Sequence, residues 1–96
     1  MIIVTRIGPA WPSSFMVEVS SADLLFEYCV VMDRITFDTL AADYSTEALI
    51  EATFRFLLDR VPNADIRPLF ELARMARDFP DFEAELPRYL AMSSKQ

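Results

Sequence analysis

Four carboxylates crowd one stretch of the chain: Asp78, Asp81, Glu83 and Glu85. Grouped acids can hold a hard cation, and two close carboxylates can share acid–base work on a glycosidic bond. The stretch lacks the glycine that a calcium loop needs for its sharp turn, and its spacing matches no EF-hand. Helix capping and a solvated helix face account for the same residues. An enzyme working with carboxylates alone therefore stands last among the functional classes.

Other reactive groups are scarce. The chain has no histidine, which removes the commonest general base and the commonest zinc ligand. Neither a Ser–His nor a Cys–His nucleophile can be assembled. Cys29 is the only cysteine, so no intrachain disulfide forms, and a structural zinc site would lack thiolates. Cys29 lies in an apolar run with no cation close in sequence and reads as a buried structural thiol. The sequence assigns no catalytic residue, no cofactor-binding residue and no metal ligand.

Three residues stand out as possible partner contacts. Trp11 lies between Pro9 and Pro12, where no regular element obliges it to face a core. It can cap an open sheet edge or serve as a rigid anchor for a partner. Met16 is an adaptable apolar residue suited to core gaps or to a self-association face. Arg60 sits beside the apolar arc of its helix, in the last turn. A stem lying along the core and a favourable dipole contact explain it without a partner.

The elements that must carry these residues follow from patterning. Ile2–Ile7 is rich in β-branched residues and reads as a strand. Pro9–Ser14 is a loop, since its two prolines block helix and ladder alike. Phe15–Ser20 alternates, with Phe15, Val17 and Val19 on one face. A turn at Ser20–Asp23 leads into Leu24–Met32, which is apolar all round. Ser21 could cap a helix there, but the β-formers Phe26, Tyr28, Val30 and Val31 favour a strand hairpinned to Phe15–Ser20 and largely covered on both faces.

Helical spacing takes over downstream. Asp33 is a candidate N-cap for a short helix ending near Ala42, with Ile35, Phe37 and Leu40 on its apolar side. Ser45 caps the clearest helix, Thr46–Arg60. There Ile50, Phe54, Leu57 and Val61 form one stripe, and Glu51–Arg55 is an i,i+4 pair. Pro62 ends it. A further helix is expected over Asp65–Asp78, with Pro68 in its first turn and Ile66, Leu69, Phe70 and Ala73 facing one way. Phe82, Leu86, Tyr89 and Leu90 mark a last helix that Pro87 should kink or shorten. Residues 92–96 read as a frayed polar tail.

From Ser45 onward the chain resembles a group of short bacterial proteins of uncharacterised function. The likeness rests on Glu47 to Arg60 (EALIEATFRFLLDR) and Phe79 to Leu86 (FPDFEAEL). It covers about half the chain and implies that the helical half follows a short hairpin. Relatives often carry an acid before the proline, where this chain has Val61. The resemblance implies no activity, cofactor or site residue.

Length and charge bound the rest. At 96 residues the expectation is one domain. The net charge of −6 disfavours direct nucleic-acid binding. No apolar run approaches the length that spans a bilayer, and the N-terminus lacks a signal-peptide pattern, so a cytoplasmic protein is expected. The expected fold is α+β: a small antiparallel sheet of about three strands, with a hairpin near residues 15–32, packed against a C-terminal helical half. The helices Thr46–Arg60 and Asp65–Asp78 should form a hairpin over it. The expected function is a non-catalytic protein–protein interaction or regulatory module that binds a protein partner or associates with itself as a homodimer. The alternative is an acidic immunity protein, antitoxin or nucleic-acid mimic that neutralises a basic partner.

Overall fold

A computed structural model describes residues 1–41 and 43–93. The fold is α+β. Strands β1 (Ile2–Ile7), β2 (Ser13–Ser21) and β3 (Leu24–Met32) form an antiparallel meander, and a short β4 (Leu69–Glu71) joins β3 in parallel. Among the described residues four helices complete it: α1 (Arg34–Ala41), α2 (Thr46–Leu58), α3 (Met75–Asp78) and α4 (Phe82–Ser93). The sheet is therefore mixed and four-stranded, where the sequence led us to expect three antiparallel strands.

The hairpin of β2 and β3 closes through Ala22 and Asp23, with Ser21 opposite Leu24. Ala22 takes a positive φ of 54°, which the turn requires and which an L side chain disfavours. At the other end of β2 the loop after β1 turns at Gly8, whose φ is 78°. Arg6 Nη2 holds that loop by donating to Ser13 Oγ at 2.7 Å and to the Pro9 carbonyl at 3.2 Å.

Alternation works as expected on the inner face. Phe15, Val17 and Val19 of β2 are buried with Tyr28, Val30 and Met32 of β3. Against them lies α2, capped by Ser45 Oγ, which accepts from Ala48 N at 3.0 Å. This helix is buried nearly all round. Ile50, Phe54 and Leu57 are enclosed, and so are Leu49, Ala52, Thr53 and Phe56. It touches β1 on one side and α4 on the other. Its exposed edge carries the expected Glu51–Arg55 pair at 2.7 Å.

The segment expected as a helix over Asp65–Asp78 is the main correction. It forms a 3₁₀ turn (Asn63–Asp65), then β4, a second 3₁₀ turn (Leu72–Arg74) and only four residues of α-helix. Pro68 steers Arg67 away from helical geometry. The meander also leaves the far edge of β3 unpaired, and Cys29 N donates to the Pro68 carbonyl at 2.7 Å. Satisfying that edge outweighs a helical pattern. Ile66 and Leu72 are buried and Phe70 meets Phe54, but Leu69 and Ala73 are exposed. No helical hairpin of the expected kind forms, and α2 pairs with α4 instead.

Smaller differences have equally local causes. Asp33 caps α1 through Thr36 N at 3.2 Å, yet Ile35 is 77% exposed because α1 rests on Phe37 and Leu40. Pro87 lies inside α4 without ending it. It and Glu83, whose carbonyl it leaves unbonded, are both exposed, so solvent can take up the free group. Phe82, Leu86, Tyr89 and Leu90 are buried as expected. Of the expected frayed tail, Ser94–Gln96 lie outside the described residues.

Candidate interaction surface

The expectation that Leu24–Met32 is covered on both faces does not hold. All the described helices stack on one side of the sheet, with α4 behind α2 and not across the opposite face. That opposite, outer face is open. Along it Ile3 is 46%, Ile7 53%, Met16 40%, Leu25 60% and Leu69 63% exposed. Cys29 and Val31 lie between them, partly buried, so Cys29 is not the fully buried thiol its surroundings in sequence suggested.

Register arranges these side chains in rows. Thr5, Met16, Cys29 and Leu69 cross the four strands in one row. Ile7, Ser14, Val31 and Glu71 form a second, and Ile3, Glu18 and Glu27 a third. Glu18 and Glu27 are direct cross-strand partners. Like charges so placed destabilise a sheet. No ion pair compensates either of them among the described residues.

At the edge strand β4 the face runs into a groove of about 470 Å³. Val31, Leu69 and Glu71 belong to both. Its apolar wall is built from Leu57, Val61, Ile66, Phe70, Met75 and Phe79, and Asp65, Arg67, Arg74 and Asp78 also line it.

Of the three contacts named from sequence, Met16 alone lies on the open face. Trp11 is half-buried, stacked on Phe37 at 5.9 Å with the Arg6 guanidinium 4.9 Å from its ring centroid. Arg60 lies beyond the last residue of α2 and makes a bidentate ion pair with Asp81, its guanidinium 4.5 Å from the Phe56 ring centroid. That pairing holds the Asp81 carboxyl below the usual carboxylate range and raises the Arg60 guanidinium further. Both residues join the end of α2 to the start of α4. The acids near the C-terminus are likewise divided: Asp81 faces Arg60, while Glu85 faces Arg88 at 2.6 Å. Among the described residues no three metal-ligating side chains converge.

The remaining perturbed groups are structural. The Tyr28 hydroxyl donates to Asn63 at 3.0 Å, and burial raises its pKa. The Tyr89 hydroxyl donates to Asp59 Oδ2 at 2.5 Å, which raises its pKa, with burial adding to it. Thr36 holds the Asp33 carboxyl low through its side-chain hydroxyl.

Sequence reasoning missed Ile3, Ile7, Leu25, Leu69 and the Glu18–Glu27 pair as surface features. One signal was available. Glu18 and Glu27 are equidistant from the turn at Ala22 and Asp23, so the hairpin alone sets them opposite each other. Among the described residues no helix is long and apolar enough to cross a membrane. No family model, curated protein or solved structure matches the chain.

Proposed function

We propose that this chain is a non-catalytic protein-binding module that receives its partner on the outer face of the sheet. One observation carries the reading: the sheet buries Phe15, Val17, Val19, Tyr28, Val30 and Met32 on its inner side and leaves Ile3, Ile7, Met16, Leu25 and Leu69 exposed on the other. The largest exposed apolar patch of a small protein is often a functional surface. The groove beside β4 extends the same surface around the sheet edge.

Cys29 provides the test. It is the only thiol in the chain and sits within the face. In buffer a maleimide should label it readily. In extract from the native host, a bound partner should slow labelling. The double variant Leu25→Ser/Leu69→Ser should fold with an unchanged spectrum and lose that protection. Equal labelling rates in buffer and in concentrated extract would remove the support for this reading. So would protection that survives in the variant.

A further inference from the structure

We infer that the occupant of the outer face is a basic amphipathic segment of another protein: apolar side chains on the sheet, lysines or arginines over Glu18 and Glu27. The inference rests on the interaction-module reading and specifies the partner's chemistry.

Charge is the main argument. Every charged strand residue on this face is an acid: Glu18, Glu27 and Glu71. The sheet's one arginine, Arg6, is half-buried and turned toward Ser13 and the loop. Arg67, just ahead of β4, makes no ion pair with the face's acids. The opposed Glu18 and Glu27 repel each other in the free protein. A cation placed between them relieves that repulsion and gains two carboxylate contacts at once. Leu25 and the Met16–Cys29–Leu69 row flank the acids, so apolar side chains on either side of the cation also find partners.

A second copy fits less well. A two-fold interface brings the same patch of both copies together. Here it would add three further carboxylates to a face whose Glu18 and Glu27 have no ion-pair partner among the described residues. The mostly apolar character of the face equally separates it from a nucleic-acid mimic, which would present carboxylates on a polar surface.

The test uses the full chain and two helical peptides. One carries a leucine stripe flanked by lysines, and the other replaces every lysine with glutamate. Binding is followed by calorimetry at low salt. The basic peptide should bind at least about tenfold more tightly than the acidic one. The double variant Glu18→Gln/Glu27→Gln should lose about tenfold in affinity for the basic peptide. A control with the same charge change on the helical side, Asp38→Asn/Glu83→Gln, should lose little.

Glu27→Lys separates binding from folding. It should raise the thermal midpoint by converting a repulsive pair into an ion pair, while weakening the basic peptide further. If the two peptides bind alike and Leu25→Ser/Leu69→Ser removes both, the charge inference fails and the interaction-module reading stands. If the Leu25/Leu69 variant binds both as the parent does, the outer face is not the site, and the inference fails with it. Equal losses in the two charge variants would reduce the effect to net charge and overturn the inference. A dimer seen by light scattering and tightened by Glu18→Gln/Glu27→Gln would assign the face to a second copy instead.

Discussion

The two faces of the sheet share apolar and β-branched residues, with acids on the outer one only, and meet opposite fates. On the inner face Phe15, Val17 and Val30 are fully enclosed. On the outer face Met16, adjacent to Phe15 and Val17, is 40% exposed, and Leu25 is 60% exposed. Strand propensity does not distinguish them, since β-branched and apolar side chains line both. The difference lies in what the helices cover. The inner face is closed by α2, and α4 then packs behind α2, where Phe56 meets Phe82 and Tyr89 edge-on at 5.2 and 5.8 Å. A helix used to bury another helix is not available for the second face of the sheet. The same stacking that completes the core thus leaves an apolar surface open.

The most direct way to break this comparison is to remove a large side chain from the closed face. Phe15→Ala should cost about 3–5 kcal/mol of stability, through lost burial and the cavity left behind. Urea denaturation measures it. A loss below about 1 kcal/mol would mean that the inner face tolerates truncation as a surface does. Next in size is a backbone effect at the hairpin that joins both faces. Ala22 adopts a φ of 54°. Ala22→Gly removes the steric cost of that conformation and should stabilise the hairpin by about 1 kcal/mol. A neutral or destabilising result would show that glycine's greater freedom in the unfolded chain outweighs the relief.

Titration bears on the helical side of the comparison. The Asp33 and Asp81 carboxyls are lowered, by Thr36 and Arg60 respectively. Their contribution is complete above the unfolded carboxyl pKa, near 4, and is lost as pH falls through their folded values. The Tyr28 and Tyr89 hydroxyls are raised. Their contribution is complete below the unfolded phenol pKa, near 10, and is lost as pH rises through their folded values. Urea midpoints should therefore form a plateau that falls off at both ends. Asp81→Asn should flatten the acid limb, and Tyr89→Phe the alkaline one. An acid limb identical in Asp81→Asn would mean that the Arg60 pair does not couple to folding.

Legibility in the sequence followed how local the deciding interaction is. The period-2 run Phe15–Val19 and the helix after Ser45 depend on neighbours a few residues away, and both formed, although the helix ends at Leu58 and is buried well beyond its expected stripe. The segment 65–78 did not, because its outcome depends on a β3 edge far off in sequence. Helical spacing of Ile66, Leu69 and Phe70 carries no record of the hydrogen bond that Cys29 offers to Pro68. The all-round apolarity of Leu24–Met32 was visible but ambiguous. Burial on two faces and exposure of one apolar face give the same pattern, and only the position of α4 separates them. Arg60 shows the converse: a residue conspicuous in sequence is taken up by Asp81, within the fold.

The smallest expected effect sharpens the comparison most. Phe15 and Met16 are consecutive on β2 and point to opposite sides. Met16→Ala should change stability by no more than about 0.5 kcal/mol, as for an exposed position without special contacts. The same substitution should weaken binding of the basic peptide, because Met16 lies in the apolar row beside Glu18 and Glu27. Stability and binding would then separate at neighbouring residues of a single strand. Protein concentration is the variable to control. If Met16→Ala costs more than about 1 kcal/mol, and the loss grows with concentration, a second copy covers the face in the parent protein. A loss of that size independent of concentration would instead place Met16 inside the folded core, and the outer face would no longer be open.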